Sequence, residues 1–270
     1  MDKSQIKNMV KNKYAKIAAK SDSCGCGCGS SSTSDYAKLI GYKDTQINSA
    51  PDDANLGLGC GNPTAIASLK KGETVLDLGS GAGFDAFIAS KFVGESGKVI
   101  GVDMTPEMVA KAKENAKKTG KTNVDFRLGE IEKLPVDSDS IDVIISNCVI
   151  NLSPDKPRVF QEAYRVLKNG GRLMVSDIVL ESPLPESIKE NIEAYSGCVA
   201  GASLKKDYLT EIEKAGFENI KITGSSDWLL KIIKNKTAKK DLEQKFNMDF
   251  KSLVKVAESV KSIQVLAWKQ

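Results

Sequence analysis

Six cysteines are the residues of this chain best suited to chemistry. The chain has 270 residues and no histidine. Without imidazole, the chain cannot use Ser-His-Asp or Cys-His catalysis, histidine-ligated zinc or histidine proton shuttles. Cys60, Cys148 and Cys198 lie far apart in the sequence, whereas the other three cysteines alternate with glycines within residues 24–28. We therefore expect thiols to carry the chemistry, as ligands or as nucleophiles.

The compartment decides whether thiols stay reduced. The stretch Met1–Lys20 is lysine-rich and amphipathic, and it lacks the apolar segment of a secretory signal. We expect an intracellular, cytoplasmic protein, in which cysteines act as ligands or reactive groups rather than as a disulfide framework. No stretch reaches the roughly 18 apolar residues of a membrane span. A net charge of +4 is too mild to favour nucleic acid as a partner.

The elements that must position these thiols alternate between strand and helix. Short apolar runs predict strands at Thr74–Leu78, Lys98–Val102, Val124–Leu128, Ile141–Ser146, Arg172–Ser176, Asn219–Thr223 and Ser262–Trp268. Periodic patterns and end signals predict helices over 3–20, Phe84–Phe92, 106–119, Lys156–Leu167 (ending near Asn169–Gly171) and Lys205–Ala215. Repeated strand–helix units indicate a mostly parallel sheet with right-handed crossovers.

The remaining segments read differently. Residues 35–60 are predicted as loop and short turns, and Ser225–Val260 as a lysine-rich helical insertion. Residues 21–34 read as a mobile cysteine-rich arm. The chain thus divides into an N-terminal helix and arm over residues 1–50 and one domain over 51–270.

A glycine loop follows the first predicted strand. Gly79, Gly81 and Gly83 permit a tight turn and close backbone approach to a ligand. The dinucleotide fingerprint G-x-G-x-x-G fails here, because its sixth position is Phe84. Asp103 ends the second strand, where a carboxylate can accept hydrogen bonds from both ribose hydroxyls of a nucleoside. The alternative for Asp103 is a capping role for the helix that follows it, where Thr105 can also serve as the N-cap.

The segments around this loop resemble a known family. Val75–Gly83 is similar to motif I of the class I S-adenosylmethionine-dependent methyltransferases, and Arg165–Gly171 to the stretch before their fifth strand. The resemblance implies an α/β fold with a Rossmann-like sheet, parallel except for an antiparallel terminal strand that forms a hairpin with strand six. It implies S-adenosylmethionine as cofactor, bound by Asp77, Gly79, Ser80, Gly81, Asp103, Met104, Glu130, Ile131 and Asn147.

The family pattern also distributes these residues along the cofactor. By resemblance, Asp77 and the glycine loop lie near the methionine part, and Asn147 lies beside the methionine end. Asp103 would hold the ribose, and Glu130 and Ile131 would flank the adenine.

Three cysteines fall within this frame. Cys148 follows strand four, Cys198 comes after strand five, and Cys60 lies in the loop before the first helix of the domain. Ligands of an open parallel sheet bind outside the carboxyl ends of its strands, so these thiols can converge there. A single free cysteine is equally often a small buried apolar residue. Three at the rim of one pocket favour a set of ligands.

Three sulfurs without histidine suit a particular kind of centre. Zinc prefers four sulfur or nitrogen ligands, whereas a soft thiophilic centre is satisfied by three sulfurs. Trivalent arsenic forms three bonds in a pyramid and retains a lone pair that can attack an electrophilic methyl group. That nucleophile carries no proton, so it needs no general base.

The cysteine contexts resemble those of the arsenite methyltransferases. The similar segments are Leu56–Pro63, Ile144–Leu152 and Tyr195–Gly201, within a match over roughly residues 55–220. The resemblance implies that Cys148 and Cys198 hold arsenic during methylation. It implies that Cys60 is a third thiol, which binds arsenic or forms a disulfide with an N-terminal cysteine during turnover.

The arm differs from the family pattern in detail. The family often shows an adjacent cysteine pair, whereas glycines separate Cys24, Cys26 and Cys28, so the partner of Cys60 stays open. The implied substrate is arsenite or its thiol conjugates, and the implied reductant is thioredoxin or a glutathione-type thiol. On its own, the arm could also be a metal scavenger or a disordered tail.

Two other functions fit parts of the sequence. A small-molecule methyltransferase of the quinone or sterol type shares the cofactor motifs but has no use for the three cysteines. A non-enzymatic, thiol-based metalloid-binding protein would use the cysteines but would not need the cofactor. Arsenite titration with and without S-adenosylmethionine, followed by product analysis, separates these possibilities.

Overall fold

The described part of the chain is nearly continuous between residues 68 and 227. The structure is a computed structural model that describes residues 2–19, 32–63, 68–189, 191, 194–195, 197–227, 229–230, 233, 243 and 248–270. Cys24, Cys26 and Cys28 of the predicted arm lie outside the described residues.

All seven predicted strands are present, and β5 and β6 extend beyond their predicted ends. They are β1 (Thr74–Leu78), β2 (Lys98–Asp103), β3 (Val124–Leu128), β4 (Ile141–Asn147), β5 (Leu167–Leu180), β6 (Glu218–Ser226) and β7 (Val260–Trp268). They form one seven-stranded sheet in the order β3-β2-β1-β4-β5-β7-β6. The pairs from β3 to β5 are parallel, whereas β7 pairs antiparallel with both β5 and β6. The expected class I methyltransferase sheet with its terminal antiparallel hairpin is confirmed.

The helices flank this sheet. They are α1 (Lys3–Ala19), α2 (Thr33–Leu39), α3 (Asp44–Ile47), α4 (Phe84–Val93), α5 (Pro106–Thr119), α6 (Lys156–Val166), α7 (Glu186–Lys189), α8 (Lys205–Lys214) and α9 (Phe250–Ser259). Two 3-10 turns lie at Asp52–Ala54 and Ile150–Leu152.

Both faces of the sheet are buried under helices, as a parallel sheet requires. On one face Leu76 and Leu173 pack with Phe160 of α6 and Tyr208 of α8. The opposite face packs against α2, α4 and α5. A third cluster lies at the carboxyl ends of the strands and contains all three described cysteines. The two faces stabilise the fold, and the third cluster lies where a parallel sheet places its ligands.

The largest departure from the predicted elements lies at the start of β5. The sequence predicts a helix to Leu167 and a turn near Asn169–Gly171, but α6 ends at Val166 and these residues belong to the strand. Gly170 N donates to the carbonyl oxygen of Lys269 at 2.8 Å, and Lys269 N donates to that of Gly171 at 2.9 Å. The glycines are therefore held by residues at the other end of the domain.

Two predicted loop or insertion segments also differ. Within residues 35–60, the chain forms α2, α3 and a 3-10 turn rather than loop alone. A capping box starts α2, in which Ser32 Oγ accepts from Asp35 N and the Asp35 carboxylate accepts from Ser32 N. In the predicted insertion, β6 extends to Ser226 and α9 confirms the helical character of its end; most of the residues between lie outside the described part.

Among the described residues, no helix combines the length and the apolar composition needed to cross a bilayer.

Candidate active site

A cleft opens at the carboxyl ends of β1, β2 and β4. Most residues expected to bind the cofactor line it: Asp77, Gly79, Ser80, Gly81, Asp103, Met104, Ile131 and Asn147. The thiols of Cys148 and Cys198 line the same cleft, whereas Cys60 lies behind this surface and is 2% exposed. The expected cofactor residues and two of the three described cysteines therefore share one cavity.

The glycine loop keeps its backbone close to the cleft. Gly79, Gly81 and Gly83 all have positive φ, at 66°, 53° and 97°. Gly79 N donates to the carbonyl oxygen of Val102 at 2.8 Å, which ties the loop to β2. A Cβ at Gly79 would lie 2.3 Å from Val149 Cγ2, so a side chain at this position displaces the residue next to Cys148.

Asp103 is fixed by backbone groups on both sides. Its Oδ2 accepts from Gly81 N at 2.9 Å, and its Oδ1 accepts from Thr105 N at 2.8 Å. Thr105 occupies the predicted N-cap position of α5, with Pro106 at the first helical position, but its side chain makes no capping hydrogen bond. Asp103 thus combines a structural role at the start of α5 with exposure of its carboxylate to the cleft.

The cleft concentrates buried acidic groups. Burial raises the pKa of Asp103, raises that of Asp85 to about 6 and, with the nearby charges of Asp85 and Asp103, raises that of Asp77 well above its usual value. Asp77 Oδ2 and Ser80 Oγ are buried and have no hydrogen-bond partner among the described residues. A ligand that brings hydroxyl or ammonium donors and positive charge would satisfy these groups. S-adenosylmethionine, with its sulfonium, α-ammonium and ribose hydroxyls, has those features.

Helix α1 covers part of the cleft, a contact that the sequence did not reveal. Lys7, Val10 and Tyr14 line the cavity from this helix. Lys7 Nζ lies 2.7 Å from Glu130 Oε2 and 3.2 Å from Glu132 Oε1. Glu130, expected beside the adenine, is thus engaged by α1 and does not line the cleft, whereas Glu132 does. The amphipathic pattern of α1 was the available signal, but it did not say which surface the apolar face covers.

The three described cysteines carry free, buried thiols. Cys198 Sγ lies 2.7 Å from the carbonyl oxygen of Cys148, to which it donates. Cys60 Sγ donates to the carbonyl oxygen of Ser176 at 3.6 Å and lies within 4.8 Å of Cys148 Sγ. Burial raises the pKa of Cys60 and raises that of Cys148 well above its usual value. At neutral pH both groups are therefore protonated thiols.

Two of these cysteines have an unusual, left-handed backbone conformation. Cys148 and Cys198 have positive φ, at 58° and 64°, which is unusual for residues other than glycine. A left-handed conformation costs such a residue about 1–2 kcal/mol. Cys148 is held there by its amide, which donates to the carbonyl oxygen of Ser176 at 2.8 Å. Strain of this kind is concentrated at ligand-binding positions in proteins.

Asn147 fixes the loop that carries Cys60. Its Oδ1 accepts from Cys60 N at 3.0 Å, and its Nδ2 lies 2.9 Å from the carbonyl oxygen of Gly61 and 2.9 Å from Tyr42 Oη. Tyr42 Oη in turn donates to Asp85 Oδ1 at 2.6 Å. The position of the Cys60 loop is therefore connected to a carboxylate that lines the cleft.

Known proteins match most of this chain. Residues 69–216 match the methyltransferase domain family. An arsenite methyltransferase of Halobacterium salinarum is 46% identical over 245 residues, which are 84% of this chain and 63% of that protein. A demethylmenaquinone methyltransferase of Lactococcus lactis is 36% identical over 141 residues, covering 50% of this chain and 56% of that protein.

A solved structure extends the match. The crystal structure of an arsenic(III) S-adenosylmethionine methyltransferase from Chlamydomonas reinhardtii aligns with a TM-score of 0.64 at 32% identity, over 90% of this chain and 75% of that one. The chain spans less than two thirds of the curated arsenite methyltransferases that it matches first, at 63%, 47% and 40% of their lengths.

Gly79 provides a test of the cleft. Gly79→Ala is expected to weaken S-adenosylmethionine binding about tenfold, because overpacking against Val149 costs roughly 1–3 kcal/mol. Gly120→Ala is the matched control, since Gly120 has φ 63° and open space where a Cβ would lie. Both variants should lose stability in thermal unfolding, but only the first should lose affinity in calorimetric titration. Equal cofactor affinity in the two variants would contradict the proposed position of the cofactor.

Proposed function

The chain belongs to the arsenite methyltransferases, a family of class I S-adenosylmethionine-dependent enzymes, and we propose that it methylates trivalent arsenic held by Cys60, Cys148 and Cys198. The single observation that carries the proposal is the meeting of these thiols, from three distant segments, beside a cleft lined by the cofactor motifs. A methyltransferase for quinones or sterols gives no reason for this grouping.

The protonation state of the thiols suits the binding of arsenite. Arsenous acid exchanges each hydroxyl group for a cysteine sulfur, and the thiol proton leaves with the hydroxyl as water. Three exchanges release three waters and leave arsenic with three As–S bonds and its lone pair. Neutral thiols such as Cys60 and Cys148 can supply those protons without a separate acid, which agrees with the absence of histidine.

The residues of the cleft fit S-adenosylmethionine. When bound, this cofactor supplies an electrophilic methyl group on a positively charged sulfur. Asp103 would accept hydrogen bonds from the ribose, and Ile131 would contact the adenine. Burial raises the pKa values of Asp77 and Asp85, so the positive charge of a bound sulfonium and α-ammonium would stabilise their ionised forms and relieve part of the cost of burying them.

The main contribution of the chain to methyl transfer is positioning. The sulfurs would fix arsenic in a pyramid whose lone pair is free. Backbone hydrogen bonds hold the two cysteines at the cleft, from Cys148 N to the carbonyl oxygen of Ser176 and from Cys198 N to that of Tyr195. Arsenic attacks with an electron pair and not through an O–H or N–H bond, so no side chain has to remove a proton. Holding two scarce reactants together in one orientation accounts for a large rate increase.

The cysteine arm would complete the cycle. Methylation raises arsenic to the pentavalent state, and its return to the trivalent state takes two electrons. A thiol of the arm, Cys26 or Cys28, can supply them with Cys60: it attacks the Cys60 sulfur, the As–S bond breaks, and its electron pair returns to arsenic. The resulting disulfide would be reduced by two external thiols, from thioredoxin or a glutathione-type reductant, in the cytoplasm.

Cysteine variants test the ligand roles. Cys148→Ser and Cys198→Ser should each abolish methylation of arsenite and of methylarsenite, because both substrates are bound through these two sulfurs. Cys60→Ser should abolish only arsenite methylation, since methylarsenic has just two bonds left for sulfur. Products are separated by liquid chromatography with arsenic detection, and retained S-adenosylmethionine affinity serves as the folding control.

Three outcomes would contradict the proposal. Wild-type rates in Cys148→Ser or Cys198→Ser would remove that residue from the site. Equal losses on both substrates in Cys60→Ser would remove the distinct role of Cys60. Methylation of a demethylmenaquinone-type quinol, with none of arsenite, would replace the function itself.

Tyr42 tests the positioning of Cys60. Asn147 Nδ2 also donates to Asp85 Oδ2 at 3.1 Å, so Tyr42→Phe removes one of two hydrogen-bonded links between Asn147 and Asp85. Loss of a hydrogen bond worth about 1 kcal/mol corresponds to a roughly fivefold fall in arsenite methylation. Methylarsenite methylation should be unaffected, because it does not need Cys60. The matched control is Tyr164→Phe on α6, which lies outside the cleft and should leave both rates unchanged. A parallel fall on both substrates in Tyr42→Phe would show that the network acts on the cofactor instead.

A further inference from the structure

A buried carboxylate lies behind the thiols and has no part in the reaction described above. Asp177 is on β5 and is 1% exposed. One of its carboxylate oxygens, Cys60 Sγ and Cys148 Sγ all lie within 4.8 Å of one another. Its neighbour Ser176 explains the placement, because the carbonyl oxygen of Ser176 accepts from Cys148 N and from the Cys60 thiol.

This carboxylate is held in a fixed orientation. Asp177 Oδ1 accepts from Asn151 Nδ2 at 2.7 Å and from Ile178 N at 2.9 Å, and Oδ2 accepts from Tyr208 Oη at 3.0 Å. Carboxylates that ligate metals are typically oriented by hydrogen bonds of this kind. Oδ1 accepts two hydrogen bonds and Oδ2 only one, so a lone pair of Oδ2 remains available to a ligand.

Asp177 can supply the fourth ligand that a zinc-like cation requires and that the sequence did not reveal. Three sulfurs alone did not satisfy the four-coordinate preference of zinc, and no histidine could complete the set. Asp177 adds an oxygen beside Cys60 and Cys148, and the thiol of Cys198 lies against the carbonyl of Cys148. Sulfur and carboxylate together are an ordinary donor set for zinc-like cations.

We propose that Cys60, Cys148 and Asp177 bind one divalent thiophilic cation of the Zn²⁺ or Cd²⁺ class, and that the Cys198 thiol leaves the carbonyl oxygen of Cys148 to complete the four ligands. The thiol protons leave to solvent as the cation binds. Lys156 interacts electrostatically with both Asp177 and Cys198, and it offsets part of the surplus negative charge of the filled site. The cation and arsenic use the same sulfurs, so the cation excludes arsenic; that competition rests on the proposed function, whereas cation binding does not.

Asp177 distinguishes the two occupants. Trivalent arsenic completes its three bonds with sulfur and gains nothing from the carboxylate, whereas a four-coordinate cation uses it as a ligand. Loss of the carboxylate should therefore weaken cation binding and leave arsenic binding nearly unchanged.

The test is a Cd²⁺ titration of the full chain in which Cys24, Cys26 and Cys28 are replaced by serine, so that thiols of the arm do not contribute. Binding is followed by thiolate-to-cadmium charge-transfer absorption. The parent should bind one equivalent, which arsenite displaces. Asp177→Asn should lower Cd²⁺ affinity by about tenfold or more while arsenite affinity stays within about threefold.

The control is Glu162→Gln, which changes another buried carboxylate. Glu162 is 4% exposed and pairs with Arg165 on α6, and its change should leave Cd²⁺ affinity unaltered. Retained S-adenosylmethionine affinity shows that Asp177→Asn has folded. If it has not, zinc-edge X-ray absorption of the loaded parent decides instead, with a mixed sulfur and oxygen shell expected.

The proposal is overturned by a parent without charge-transfer absorption, by unchanged Cd²⁺ affinity in Asp177→Asn, or by an all-sulfur zinc shell. A parallel loss of arsenite and Cd²⁺ affinity in the folded variant would also overturn it. Failure of the proposed function gives a different result: arsenite would not be methylated, while the Cd²⁺ site and its dependence on Asp177 remain.

Discussion

The site depends on the parallel alignment of β1, β2, β4 and β5. Parallel strands direct all their carboxyl ends to one edge, so the residues that follow each strand meet there whatever their distance in sequence. The glycine loop after β1, Asp103 at the end of β2 and Cys148 after β4 are neighbours for this reason. If β2 or β4 ran antiparallel to β1, the residue that follows that strand would lie at the opposite edge.

Stability and ligand binding oppose each other at this edge. The two faces of the sheet are almost entirely apolar, whereas the edge collects buried carboxyls at Asp77, Asp85 and Asp103, each with a raised pKa. Unpaired buried polar groups cost free energy, which a cationic, hydroxyl-bearing ligand recovers. Helix α1 covers the same edge through Lys7, so cofactor entry and the packing of this helix are coupled.

The thiols form a graded set rather than three equivalent ligands. Cys148 and Cys198 line the cleft on strained backbone, while Cys60 lies deeper, fixed by Asn147 and next to Asp177. Each proposed occupant therefore uses a different set of donors. Every arsenic substrate would use the sulfurs of Cys148 and Cys198, arsenite would also use that of Cys60, and only a divalent cation would use the oxygen of Asp177. The proposed selectivity among these occupants therefore depends on which donors surround them and not on the size of the cavity.

Most strands and the position of the cleft could be predicted from the sequence, because the patterns that indicate them are local. Thr74–Leu78 and Val124–Leu128 are strands with the predicted ends, and Gly79 and Asp103 lie at the predicted cleft, since short apolar runs and glycine turns act over a few residues. The prediction of a turn at the glycines after α6 was wrong, because these residues pair with Lys269. The periodicity of α1 predicted a helix but not the surface that it covers, and no local pattern indicated that Asp177 approaches Cys60. Such contacts join residues far apart in the chain. Only the packing of the sheet and its helices, which minimises exposed apolar surface over the whole molecule, decides which distant residues become neighbours.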